Sequence, residues 1–486
     1  MATVHKTTYG LDSGLNYVVY GTKQYTDASL LKEPYIAAFS SGRSQRHLRA
    51  VLDRLDGTPG KRVVIVSGSP ISLPERELAL TMLNATPTER ERIVWLCPES
   101  AMPTKEFIKS DATWATLQSY AQEAHAQNLP VTVRSFCADD WTDGVAAQLG
   151  ARMFESPPEI ATQFGNKFEA KRIFENVAIT TPAWSKTLCR TVEEINADVT
   201  ALIASNPTAS KLMLKLSDSG WAGGLGNAII DVAEFQKTNN ICAEGVLKSA
   251  ISWKELEEDL GRSGAIIEVM VPEVISTPSI QCEIRLDGKV KILSTHEQIV
   301  DEFGAYIGCQ FPADAAHPAR STIRDQMLEQ TRRVAKAMQA QGYHGTFGID
   351  FVADRSEKVW ALEINARVTG TCHAIGWAKM VLRTKVSQED GLLRGSDGEP
   401  RFYHNQRIFG WADYQRLSID DISKTLKGAG LLWDPAKGTG CVPGLVGGLS
   451  LCGFMELTAI AKSTTDATAM FTQAKSVLDT AAAQTK

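Results

Sequence analysis

The sequence predicts an α/β protein of several lobes, and three observations carry that expectation. Short apolar runs alternate with helical patterns over residues 1–150. The length, 486 residues, exceeds what one hydrophobic core serves, so two to four domains follow. Two alternating strands near residues 345–352 and 359–367 place four polar side chains on one face.

In the first 150 residues, Tyr35–Phe39, Arg62–Val66, Ile93–Leu96 and Val131–Phe136 read as strands. His47–Leu55 reads as a helix, with Leu48, Val51, Leu52 and Leu55 on one face. Strands alternating with helices indicate a parallel sheet. A second region runs over 151–380. Lys167–Asn176 is expected to be helical, Lys211–Leu216 and Ala265–Val271 to be strands, and 318–341 a long amphipathic helix ended by Gly342. Residues 381–486 form a third part, closed by a helix over 464–483.

Composition narrows the function. Apolar content of 43% and charged content of 22% are ordinary for a globular protein. A net charge of −5 without a basic block argues against a nucleic-acid partner. No apolar run spans a membrane, and nine scattered cysteines contain no C-x-x-C pair, so a cytoplasmic protein with free thiols is expected.

The chemistry sits in the strand pair. Phe347, Ile349 and Phe351 share one face, so Asp350 points to the other. Leu362 and Ile364 likewise leave Glu363, Asn365 and Arg367 on the opposite face. A hairpin centred near Ser356 and Glu357 sets Asp350 opposite Glu363. Carboxylates opposed in this way repel unless a cation lies between them, and magnesium favours such hard oxygen donors together with phosphate oxygens. Arg367 adds positive charge beside them. Upstream, Lys215 ends a strand before the glycine-rich stretch 217–227, which contains Gly223, Gly224 and Gly226. Glycines let backbone N–H groups approach phosphate, and a lysine supplies a point charge. Neither G-x-x-x-x-G-K-[ST] nor G-x-G-x-x-G occurs.

The order of these parts resembles the ATP-grasp superfamily of carboxylate–amine ligases over about residues 155–380. A closer similarity is to pheganomycin-type peptide ligases, through Ser276–Gln281, Thr295–Gln298 and Asn365–His373; Thr369 and Cys372 depart from a glycine and a threonine in that pattern. The resemblance implies an N-terminal Rossmann-like domain over 1–150, a core of two α+β lobes over 151–380, and a small C-terminal domain over 381–486. Residues 208–275 would be the nucleotide-covering lobe. It implies ATP as cosubstrate and Mg2+, or Mn2+, at Asp350, Glu363 and Asn365. Lys167 and Lys215 would hold phosphates, and Glu268, Met270 and Val271 would form the adenine linker. Glu273 and Ser279 are both candidates for the ribose. Arg367 and Lys215 would act in catalysis, and Gly370, Thr371 and His373 would meet substrate, although a structural histidine is an equal reading of His373.

The expected reaction is acid–amine ligation through an acylphosphate, with small-molecule carboxylate and amine or peptide substrates and no nucleic acid or membrane. A phosphotransferase acting on a hydroxyl and a non-catalytic nucleotide-binding partner protein stay open as alternatives. So do oligomeric state, a homodimer included, and the identity of both substrates.

Overall fold

The computed structural model describes residues 15–19, 62–68, 70–100, 102, 104–135, 140–217, 226–249, 253–300, 306–313 and 321–485. The expected strand Tyr35–Phe39 and helix His47–Leu55 lie outside them, as do residues 218–225 of the glycine-rich loop.

The described residues form three sheets. Strands β1 (Leu15–Val19), β2 (Arg62–Val66), β3 (Ile93–Leu96), β4 (Val131–Arg134) and β5 (Arg152–Met153) pair in parallel in the order β3-β2-β1-β4-β5. Strand β2 is continuously apolar because both faces are covered. Val64 and Val66 pack on Leu117, Ala121 and Ala124 of helix α1 (Asp111–Ala126). Val63 and Ile65 enter a different core, on the other side.

The second sheet is antiparallel, with order β8-β7-β6-β9, from β6 (Lys211–Leu216), β7 (Asn227–Asp231), β8 (Leu247–Ser249) and β9 (Ala265–Val269). Leu212, Leu214 and Leu216 join Ala265 and Ile267 in its core. The intervening residues, Met213 and Lys215, therefore lie on the opposite face, where Glu268 stands across from Met213. The glycine-rich loop joins β6 to β7.

The third sheet holds ten strands. Strands β10 (Val274–Ser276), β11 (Pro278–Ile284), β12 (Val290–Val300), β13 (Tyr306–Phe311), β14 (Gly345–Asp354) and β15 (Val359–Asn365) make one half. The other half is β16 (Leu393–Arg394), β17 (Pro400–Phe409), β18 (Gly440–Gly444) and β19 (Phe454–Ala461). One face of the first half packs on helix α2 (Lys167–Asn176) through Ala170, Ile173 and Phe174. The same core takes Ile323, Met327, Val334 and Met338 of helix α3 (Ser321–Ala340), the four residues whose spacing announced that helix.

Residues beyond 381 do not hydrogen-bond as a separate unit. Strand β17 pairs with β13, and β19 and β18 extend the sheet further. Helix α4 (Gly370–Val381) is buried along nearly its whole length. Its Ala374, Ile375 and Trp377 share one core with Val63 and Ile65 of the first sheet and with Tyr403, Val442 and Ile460 of the third. Helix α5 (Thr464–Gln484) closes the far end through Phe471, Ala474 and Leu478.

The hairpin of β14 and β15 pairs Asp350 with Glu363, as the alternation predicts. The route differs. The turn is centred on Ser356, not between Ser356 and Glu357, with Ala353 opposite Val359, and Glu357 takes a left-handed conformation (φ 63°). A bulge at Leu362 then restores the register. The inward residues of β15 change phase there, from Val359 and Ala361 to Ile364. An unbroken ladder would have set Asp350 against Leu362. Leu362 is the extra residue and does not share a face with Ile364.

Phe347 is fully buried in β14, edge-on to Tyr343 at 6.0 Å between ring centroids. Phe347→Ala is expected to lower stability by about 3–5 kcal/mol in urea denaturation, as for large-to-small core changes.

Candidate active site

Lys167, Lys215, Asp350, Glu363, Asn365 and Arg367 come from four separate stretches, and the fold draws them together. Asn166 is the N-cap of α2: its Oδ1 accepts from Phe168 N (3.0 Å) and Glu169 N (3.2 Å). The same oxygen accepts from Ser217 Oγ (2.8 Å), and Lys167 N donates to Ser217 O (3.0 Å). Ser217 directly follows β6, so the start of α2 is stapled to the strand end that carries Lys215.

From this start of α2, Lys167 Nζ lies 3.5 Å from Glu363 Oε2. Asp350 accepts from Asn365 Nδ2 at Oδ2 and from Gln298 Nε2 at Oδ1, both at 2.9 Å. The two carboxyl groups are shifted in opposite directions. Burial, with Glu363 opposite, raises the Asp350 carboxyl. Burial would raise Glu363 too, but Lys167, Lys215 and Arg367 overcome it and hold Glu363 below the ordinary range. A cation beside Asp350 would let both ionise. The donor set, two carboxylates and an amide oxygen, fits Mg2+ or Mn2+ shared with phosphate oxygens better than a closed protein cage. Among the described residues no group of three His, Cys, Asp or Glu side chains offers an alternative metal site.

Glu268 and Lys215 face each other across the β6–β9 surface. Glu268 is buried, with Oε1 2.5 Å from Lys215 Nζ and Oε2 2.6 Å from Lys171 Nζ. Its side chain thus serves as a counter-ion to two lysines as well as lying at the start of the expected adenine linker. Strand β9 ends at Val269, two residues short of the expected limit, so Met270 and Val271 lie in the connection that follows. Gly226 closes the base of the glycine-rich loop by accepting from Leu216 N (3.0 Å), while Gly223 and Gly224 lie outside the described residues.

The remaining candidates have these surroundings. Ser279 pairs with Asp350 across β11 and β14, and its buried hydroxyl accepts from Gln281 Nε2 (2.9 Å). It therefore lies beside the carboxylate pair. Glu273, the other candidate, is exposed, 3.6 Å from Arg355. His373 is buried, with Nδ1 2.6 Å from Glu456 and Nε2 accepting from Trp377 Nε1 (2.8 Å). Both ring nitrogens are engaged, and the Glu456 contact links α4 to β19. Thr371 is buried with its hydroxyl 2.9 Å from that of Thr369. Of that trio only Gly370 keeps partial exposure.

Sequence reasoning did not single out Ser217, Gln298 or Lys171. Gln298 stood within the segment Thr295–Gln298, but its partner Asp350 is 52 residues away. Thr369 and Cys372, the two departures from the expected pattern, both approach Gln281 Oε1, at 2.6 and 3.6 Å.

Asn166→Ala removes the cap and the staple together. It is expected to lower stability by about 0.5–2 kcal/mol in chemical denaturation, the usual range for losing an N-cap.

Residues 164–371 match the family model described as an ATP-grasp domain, and residues 421–472 match one described as the PGM1 C-terminal domain. The chain is 28% identical to the L-propargylglycine–L-glutamate ligase of Streptantibioticus cattleyicolor, over 93% of this chain and 92% of that protein. It is 33% identical to the [butirosin acyl-carrier protein]–L-glutamate ligase of Niallia circulans, over 17% of this chain and 19% of that one. An ADP complex of N5-carboxyaminoimidazole ribonucleotide synthetase shares the fold with a TM-score of 0.56 at 12% identity, covering 97% of this chain and 98% of that one. The ATP complex of the Aspergillus clavatus carboxyaminoimidazole ribonucleotide synthase gives 0.52 at 14% identity, covering 96% and 99%. Residues 164–371 thus match an ATP-grasp domain, and with the ligase relatives this match shows an ATP-dependent ligase that forms C–N bonds.

Proposed function

We propose that the protein joins a small carboxylic acid to an amine through an acylphosphate, releasing ADP and phosphate. The observation that carries this reading is the Asp350–Glu363 pair with Lys167 3.5 Å from Glu363 and Lys215 acting on the same two carboxylates. That arrangement suits a bound triphosphate and its metal.

In the first step a carboxylate oxygen of the acid attacks the γ-phosphorus of ATP, and the bond to the β-phosphate oxygen breaks to release ADP. In the second, the amine attacks the acyl carbon, phosphate leaves, and the ammonium proton passes to solvent. Lys167 and Lys215 hold the nucleotide phosphates. Arg367 stabilises the transferring group and the acylphosphate. Residues 268–271 line the adenine, and Glu273 and Ser279 are the ribose candidates. A divalent ion at Asp350, Glu363 and Asn365 would neutralise phosphate charge. The work of the chain is positioning and charge compensation.

The wide-ranging relative is named for two amino acids, so amino acids come first as candidate substrates, with glutamate among them. Among the described residues no helix is long and apolar enough to cross a membrane.

A matrix of acids and amines screened for phosphate release, with mass spectrometry of each hit, tests the proposal. The product is expected to equal acid plus amine less one water. A gain of about 80 Da, the mass of an added phosphoryl group, would instead establish phosphotransfer to a hydroxyl. Glu363→Gln is expected to abolish turnover while leaving the thermal unfolding transition close to wild type. Wild-type ATP consumption in that variant would remove the metal assignment.

A further inference from the structure

Lys171 is fully buried on α2, one helical turn beyond Lys167, and nothing in the proposed reaction employs it. Its ammonium lies 2.6 Å from Glu268 Oε2 and donates to Thr181 Oγ1 (2.7 Å). Thr181 Oγ1 donates in turn to Ala361 O on β15 (2.9 Å). The other oxygen of Glu268 faces Lys215 Nζ at 2.5 Å. Two cations therefore share one carboxylate, all three side chains being withdrawn from water.

A buried salt bridge gains little stability over apolar packing, and a third charge adds a further desolvation cost. If Lys215 were only a structural partner of Glu268, one lysine would suffice to neutralise it. The surplus makes sense if Lys215 has a second anionic partner. The group also joins two cores. Helix α2 and β15 belong to the core of the ten-stranded sheet, whereas β6 and β9 belong to the four-stranded lobe. Glu268 is thus held from both sides of the cleft.

We infer that Lys171 is a positioning residue for nucleotide binding: it is the resident counter-ion of Glu268, and it leaves the charge of Lys215 available to the phosphates of ATP. This rests on the reading in which Lys215 meets phosphate. With Lys171 present, the three groups carry one net positive charge toward the nucleotide. With Lys171 neutral, Lys215 and Glu268 cancel, and drawing Lys215 toward phosphate would strand a buried carboxylate. Burial disfavours the Glu268 carboxylate, and Lys171 with Lys215 nevertheless keeps it below the ordinary range.

A double-mutant cycle with ATP as the probe, reading KM for ATP and the Kd of a non-hydrolysable analogue, tests this. Lys171→Met is expected to weaken both about tenfold or more, because Lys215 is then held by a buried carboxylate that has lost its other partner, with a smaller change in kcat. In a Glu268→Gln background no buried carboxylate needs a counter-ion, and Lys171→Met is expected to change affinity by less than about twofold. The cycle compares each variant with its own background, so a direct contact of Glu268 with the base does not disturb it. If Lys171→Met fails to fold, Thr181→Val, which removes the hydroxyl anchoring the ammonium, carries the same comparison and is expected to show the same dependence on Glu268. Equal losses in both backgrounds, or none in either, overturn the inference. Lys215→Met serves as the control: unchanged nucleotide affinity there overturns the assignment of Lys215 to phosphate, and this inference with it.

Discussion

Asp350 and Glu363 face each other across an antiparallel ladder, where each carboxylate raises the cost of ionising the other. The surroundings are organised around that repulsion. Glu363 stays ionised because Lys167, Lys215 and Arg367 surround it, and Asp350 is steadied by Asn365 and Gln298. Each of those groups is delivered by a different local device. The cap of α2 brings Lys167, the alternation of β6 brings Lys215, and the bulge at Leu362 aligns Glu363 with Asp350. If one device is lost, the cluster holds charges that no longer balance.

Alternation along single strands made much of this legible in the sequence. Burial on one face reports through a period of two, so the outward Asp350, Glu363 and Lys215 follow from their apolar neighbours. The bulge was not legible, because two phase-consistent half-strands read alike whether or not an extra residue lies between them. The role of Glu268 was hidden for another reason. It interrupts an apolar run, Ala265–Val269, and only the three-dimensional arrangement shows that Lys171 and Lys215 converge on it. His373 looked chemically available in the sequence. Its partners, Glu456 and Trp377, include one 83 residues distant, and only the fold reveals that both nitrogens are engaged.

The outer segments of the chain read less well for a related reason. Local patterns indicate that β2 is buried on both faces but not what covers it. One cover is α1, close in sequence; the other includes α4 and strands beyond residue 400. Periodicity therefore suggests three consecutive domains, whereas the cores are shared between distant stretches. The core around α4 is consequently built from both ends of the chain.

That interleaving bears on synthesis. Strand β13 pairs with β12 on one side and with β17 on the other, and β17 lies about 90 residues later in the chain. Until the ribosome has released residues 400–409, the middle of the largest sheet presents an open edge of unpaired backbone groups, the kind of surface that recruits stray strands. The cleft can form early from the lobes of residues 160–370, but the molecule passes through a stage in which its chemistry is assembled while its largest sheet is still unfinished.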